Sequence, residues 1–155
     1  MENKVENLWP EIKTDGFDTP KVLLSKQAAY LGESTKNILT ARVTSGVLPP
    51  PYNPGKEEYD NGYVEDDEGQ DEDNQPAESC IKLRFIVYAP MLNYQFELLS
   101  VVHDMITSYP AKLICNIINR YYTITEEQEF IQKLKEILNT EKVQNILKTL
   151  IAQSQ

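Results

Sequence analysis

The spacing of hydrophobic residues changes from helical to strand-like along the first third of the chain. Apolar residues recur every three to four positions from Pro20 to Lys36, which predicts a helix with one buried face. Thr19 followed by Pro20 favours a helix start there, because the Thr hydroxyl accepts a backbone amide and Pro loses no needed donor. From Ile38 to Val47 the spacing is two, which predicts a strand that stops near Gly46.

Three later runs also alternate, at residues 80–88, 94–103 and 111–118. We expect the first two to form a hairpin with a connection of about five residues. Both faces of the third run are apolar, which indicates a sheet partly covered on both sides. The spacing then becomes helical again, with a capping box predicted at Thr125 to Gln128 and a break between two helices at Asn139 and Thr140.

These elements predict an α+β fold with a four-stranded, mainly antiparallel sheet, one N-terminal helix and two C-terminal helices packed mainly on one face. Residues 1–17 are polar and lack a sustained period, so we interpret them as a loosely ordered arm in which Trp9 is the candidate for docking on the core. Residues 18–155 form a single domain, interrupted at about residues 48–79 by a proline-rich and acidic insertion that we expect to be flexible.

The acidity of the chain is concentrated in that insertion. Residues 57–78 contain 11 of the 24 acidic residues and no Lys or Arg, and removing them changes the net charge from −9 to +2. The glycines of this stretch do not align its carboxylates with an EF-hand loop, so we expect no metal site. A solvated loop is the ordinary interpretation, and electrostatic capture of a basic partner through residues such as Asp66, Asp67 and Glu68 is the functional one.

Composition also bears on several classes of function. Cys80 and Cys115 lack the spacing of a disulfide framework or a thiolate metal site. Residues 1–6 lack the basic start and apolar run of a signal peptide, and no apolar run approaches the length needed to cross a bilayer, so we expect a cytoplasmic protein. The sequence shows no Lys/Arg cluster and no basic amphipathic helix, so we expect neither nucleic acid nor a membrane as a partner. We expect no cofactor, because no phosphate-binding loop or metal motif is present.

A short proline motif precedes the acidic stretch. Pro49, Pro50, Pro51 and Tyr52 have the P-P-x-Y form that aromatic-grooved modules such as WW domains bind. The structural alternative, which we favour, is that these prolines end the strand and stiffen the entrance to the insertion.

Tyrosines near the predicted strand ends are candidate partner-binding residues, namely Tyr88, Tyr94 and Tyr109. Tyrosine is a common interface anchor because it buries a large ring and keeps a polar tip, although it is equally common at the rim of a sheet.

His103 is the one histidine of the chain and is followed by Asp104. Adjacent strand residues point to opposite faces, so the two side chains are not expected to form a catalytic dyad. A nucleophile such as Cys115 or Ser100 would also have to be brought close by the fold. We therefore assign no catalytic residue.

The sequence as a whole predicts a non-enzymatic protein-binding module, bacterial or phage in type: an inhibitor or immunity-type partner of a toxin or nuclease, or an adaptor or accessory subunit. Its expected partner is another protein, possibly with a basic surface. Two alternatives stay open. One is an enzyme with a site around His103, and the other is a self-associating structural subunit, that is, a homo-oligomer.

Overall fold

The computed structural model describes residues 4–49 and 79–155. Within them the chain forms helix α1, five strands and two further helices, which confirms the α+β class. The elements are α1 (Pro20–Ser34), β1 (Thr40–Leu48), β2 (Cys80–Ala89), β3 (Tyr94–Asp104), β4 (Ala111–Cys115), β5 (Arg120–Ile124), α2 (Glu127–Leu138) and α3 (Glu141–Gln153).

The described strands form one antiparallel sheet in the order β1-β2-β3-β4-β5, so the prediction of four strands is wrong. The third run of alternating residues does not continue to Ile118: β4 ends at Cys115, and a 3₁₀ turn follows. Asn119 then takes a left-handed conformation with φ of 53°, which asparagine tolerates and which reverses the chain into β5. Asn93, with φ of 49°, makes the same turn between β2 and β3.

The predicted start of α1 is confirmed, and its predicted end is not. The Thr19 hydroxyl accepts a hydrogen bond from the backbone amide of Val22 at 3.4 Å. The helix ends at Ser34 rather than Lys36, because Lys36 and Asn37 adopt left-handed backbone angles of 52° and 63°. A helix cannot continue through such residues.

Two other predicted boundaries also need correction. Strand β1 spans Thr40–Leu48, so it begins after Ile38 and continues past Gly46. At the start of α2 the hydroxyl of Thr125 donates to the Glu129 carboxylate at 2.9 Å, and Gln128 is not the residue that reaches back. Glu129 therefore takes the role that the sequence analysis gave to Gln128 in the capping box.

All three helices pack on one face of the sheet, as predicted. Leu83, Phe85 and Val87 of β2 share a face and belong to one buried cluster with residues of each helix. The helix residues in this cluster are Leu24, Ala28, Phe130, Leu134, Ile137 and Val143. We call this the covered face and the opposite one the open face. Among the described residues, no helix is long and apolar enough to cross a membrane.

The N-terminal arm departs from expectation at Trp9. Its side chain is 77% exposed and belongs to neither buried cluster, so the expectation that it docks on the core is wrong. Residues 4–14 form no helix or strand. The flexibility predicted for the insertion concerns residues that lie mostly outside the described ranges, and the single-domain organisation stays a prediction.

Candidate protein-binding site

A pocket of about 670 Å³ lies at the end of the sheet where β3 finishes. It is bounded by the start of α1, the end of β3, the loop from β3 to β4 and the start of α2. Its polar lining includes Asp18, Thr19, His103, Thr107, Ser108, Tyr109 and Glu127, and its apolar lining includes Phe17, Met105 and Ile106. We call it the acceptor pocket, because its lining includes the hydrogen-bond acceptors Asp18 and Glu127.

His103 reaches this pocket because it lies on the covered face at the end of β3, paired with Ile81 and Ala111 of the neighbouring strands. Its Nδ1 lies 2.7 Å from the carbonyl oxygen of Asp104 and 3.2 Å from that of Thr107. Carbonyl oxygens only accept, so Nδ1 carries the proton. The Nδ1–H group is therefore held by two backbone carbonyls, and Nε2 makes neither of these bonds.

Tyr109 also lines this pocket. Its hydroxyl oxygen is buried and has no hydrogen-bond partner among the described residues. Burial, followed by the charge of Glu127, raises the pKa of Tyr109 from 10.0 to about 12. A buried hydroxyl without a partner is unfavourable, so a ligand that bonds it would relieve that cost.

The raised pKa of Tyr109 predicts that the protein loses stability at alkaline pH. Between pH 10 and about 12 the unfolded chain releases the Tyr109 proton while the folded chain keeps it, so the free energy of unfolding should fall over that range and level off above it. Urea unfolding at several pH values would measure this fall. Tyr109→Phe should be less sensitive to pH over the same range, and an equal fall in both proteins would contradict the assignment.

Two carboxylates lie at helix starts beside these groups. Glu127 is the first residue of α2, where the positive end of the helix dipole favours a negative charge. Asp18 precedes the cap of α1 and pairs with Lys26 at 3.2 Å. Lys21, an exposed residue, is the basic group in the lining. The pocket is thus rich in acceptors, and the ligand that suits it carries N–H donors and positive charge.

The geometry does not support the catalytic arrangements considered from sequence. The His103 ring bonds the backbone carbonyl of Asp104, whose carboxylate instead accepts from the Cys80 thiol at 3.7 Å, so the two side chains form no dyad. Ser100 lies on the open face. Cys115 lies four residues along β4 from Ala111, the strand partner of His103, which corresponds to a distance of about 13 Å between Ala111 and Cys115.

The Cys115 thiol is also not activated. It is fully buried and donates to the carbonyl oxygen of Leu98 at 3.2 Å. Burial raises its pKa, which lowers the fraction of thiolate at neutral pH.

The three candidate tyrosines do not share one surface. Tyr88 lies on the open face, with the Arg42 guanidinium 4.8 Å from its ring centroid. Tyr94 lies at the start of β3, is 52% exposed and stacks on Phe96 with centroids 6.1 Å apart. Only Tyr109 lies at the acceptor pocket.

The remaining candidates fall in or beside the insertion. Pro49 is described and exposed. Pro50, Tyr52, Asp66, Asp67 and Glu68 lie outside the described residues, so the proline motif and the acidic partner site stay predictions.

The open face carries a group of basic residues that are far apart in the sequence and were not recognised as a cluster from it. Arg42, Lys82, Arg84 and Lys112 share this face across three strands. Glu97 and Asp104 lie there too, with Glu97 3.5 Å from Arg84. The fold therefore forms a group of basic residues that the sequence analysis did not recognise, and the expectation that nucleic acid is not a partner stays a prediction.

Asp18 and Glu127 were not found by sequence reasoning as functional residues. Each lies at a helix start that the sequence does reveal, but nothing in the spacing shows that both starts meet the end of β3. Within residues 4–49 and 79–155 no three His, Cys, Asp or Glu residues are grouped so that they could hold a metal ion. Comparison of the chain with protein-family models, curated proteins and solved structures finds no match.

Proposed function

We propose that this protein is a non-enzymatic protein-binding module, of inhibitor, immunity or accessory-subunit type, that captures a basic side chain of its partner in the acceptor pocket. The observation that carries the proposal is that His103, Tyr109, whose buried hydroxyl lacks a partner among the described residues, and Glu127 line one pocket. The proposal keeps the cytoplasmic location expected from sequence.

Arginine matches this lining better than lysine. A guanidinium group offers five donors in a plane, so it can bond several acceptors at once and stack on an aromatic ring. Glu127 supplies the charge, and Tyr109 and His103 line the pocket beside it. Met105, Ile106 and Phe17 surround the apolar stem of such a side chain.

The acidic stretch supports the same kind of partner. Residues 57–78 carry 11 acids and no bases, which creates an attractive field for a basic protein surface. Its role in the proposal is to accelerate encounter, whereas the acceptor pocket supplies specific contacts after encounter.

The proposal is tested with a short peptide that carries one central arginine and with a matched peptide that carries citrulline, which has nearly the same shape but no charge. Calorimetry should detect binding of the arginine peptide only. Glu127→Gln should weaken it about tenfold to a hundredfold, because a charge-assisted hydrogen bond contributes about 1.5 to 3 kcal/mol.

Glu136→Gln is the matched control, since Glu136 lies on the same helix, pairs with Lys133 at 3.4 Å and does not line the pocket. It should leave the affinity unchanged. Equal affinity for both peptides, or equal loss in both variants, would overturn the proposal.

A further inference from the structure

Three large apolar side chains are exposed beside the polar groups of the acceptor pocket. Phe17, Met105 and Ile106 are 69%, 42% and 80% exposed, and all three line this pocket. They come from two segments that are far apart in the sequence, the residues before α1 and the loop after β3. We call these three residues the apolar rim. Exposed apolar side chains that lie together, unlike those scattered singly, are typical of a binding surface.

Backbone contacts on both sides position Phe17. Its amide donates to the carbonyl oxygen of Thr14 at 3.1 Å, which closes a turn in which Gly16 has a φ of 75°. Glycine adopts this angle without strain, so the sequence favours the turn. Thr19, the cap of α1, follows two residues later. Phe17 therefore lies between a closed turn and a capped helix.

The loop that carries Met105 and Ile106 is also held by backbone contacts. The Met105 amide donates to the carbonyl oxygen of Ser79 at 3.2 Å. The Nδ1–H group of His103 bonds the carbonyl oxygens of the residues that flank this pair, at 2.7 and 3.2 Å. A side chain whose backbone is already positioned loses less conformational entropy when it binds. The apolar rim is thus organised before a ligand arrives.

The acceptor pocket is larger than one arginine side chain requires. Its volume of about 670 Å³ lies within the range of sites that hold a drug-sized ligand. The short apolar stem of an arginine covers only part of three exposed side chains. The partner residue beside the arginine can cover the rest, because the apolar rim and the polar groups line the same pocket.

An aromatic residue suits the apolar rim best. An aromatic side chain brings a large apolar area with few rotatable bonds, so it loses little entropy on binding. The thioether of Met105 contacts the edge of a ring favourably, and Phe17 offers a second ring for an edge-to-face contact.

We propose that the acceptor pocket and the apolar rim together recognise two adjacent residues of the partner protein, an arginine and an aromatic residue. This inference rests on the proposed function, because the captured arginine determines where the neighbouring ring lies. It adds that the ring packs on Phe17, Met105 and Ile106, so that binding selects a short sequence motif as well as a charge.

Two peptides that share one central arginine test the motif. The first has tryptophan on both sides of the arginine, and the second has serine there. We expect calorimetry to show that the full chain binds the tryptophan peptide at least about tenfold more tightly, which is the scale of burying one large apolar side chain. A third peptide, with citrulline between the tryptophans, should bind far more weakly than the first.

A double variant, Phe17→Ser with Ile106→Ser, locates the contact. Both residues are exposed, so the variant should fold. The ratio of its affinities for the tryptophan and serine peptides should fall to about one. Met91→Ser is the matched control, because Met91 is 75% exposed and does not line the acceptor pocket. It should keep the ratio of the parent protein.

The outcomes separate this inference from the proposed function. Equal affinity of the parent protein for the tryptophan and serine peptides would overturn the two-residue motif, and the proposed function would stand if the citrulline peptide still bound weakly. A preference for tryptophan that persists in the double variant would show that the ring does not pack on the apolar rim. Equal binding of the citrulline and arginine peptides would overturn both proposals.

Discussion

Replacing Phe130 with alanine is expected to lower the free energy of unfolding by about 3 to 5 kcal/mol. The side chain is fully buried and joins α2 to the cluster that includes residues of α1 and β2. Removing it loses the transfer free energy of the ring and leaves a cavity that the close-packed neighbours fill only in part. Total stability of a domain is about 5 to 15 kcal/mol, so the variant should lose a large share of it.

Ile131→Ala serves as the matched control for this prediction. Ile131 is the next residue on the same helix and is 40% exposed, so truncation should cost about 1 kcal/mol or less. Urea denaturation of both variants measures the difference. Similar losses would contradict the assignment of Phe130 to the core of the covered face.

Neutralising the acidic stretch is expected to slow association with a basic partner by about tenfold or more at low salt. Deleting residues 57–78 changes the net charge from −9 to +2 and removes the attractive field. The rate is measured by stopped flow with a peptide that carries the central arginine and several flanking lysines. For the full chain the rate should fall as ionic strength rises to about 0.2 M, because salt screens long-range attraction.

Two variants separate charge from chain length in that experiment. The first lacks residues 57–78, and the second keeps them with every Asp and Glu changed to Asn and Gln. Both should bind slowly and with little dependence on salt, while their circular dichroism stays that of the parent fold. Unchanged rates in both variants would remove the stretch from the mechanism.

The sequence predicted the parts of the fold that depend on local pattern. The start of α1 at Thr19 and Pro20 was predictable because an N-cap depends only on residues within one helical turn. Strand β2 was predictable because its buried residues, Leu83, Phe85 and Val87, alternate with more exposed ones. The fifth strand was missed because the third run was extended to Ile118, across a 3₁₀ turn, and Arg120–Ile124, beyond the left-handed turn at Asn119, was left unassigned. A single asparagine gives only a weak signal for such a turn.

The candidate site was less accessible to sequence reasoning. Tyr109 and His103 were singled out, but as unrelated features, and Glu127 was not singled out as functional. Their proximity depends on the order of the strands and on where α2 begins, which are consequences of tertiary packing. Trp9 was a candidate for docking on the core, and its 77% exposure shows that it does not dock there.

The most direct test of the central claim is amide chemical-shift mapping of the full chain with the arginine and citrulline peptides. The acceptor pocket predicts that the arginine peptide shifts the amides of His103, Tyr109 and Glu127 most strongly, and that the citrulline peptide leaves them unchanged. Shifts centred on the open face, or equal shifts with both peptides, would contradict capture of a basic side chain in the acceptor pocket.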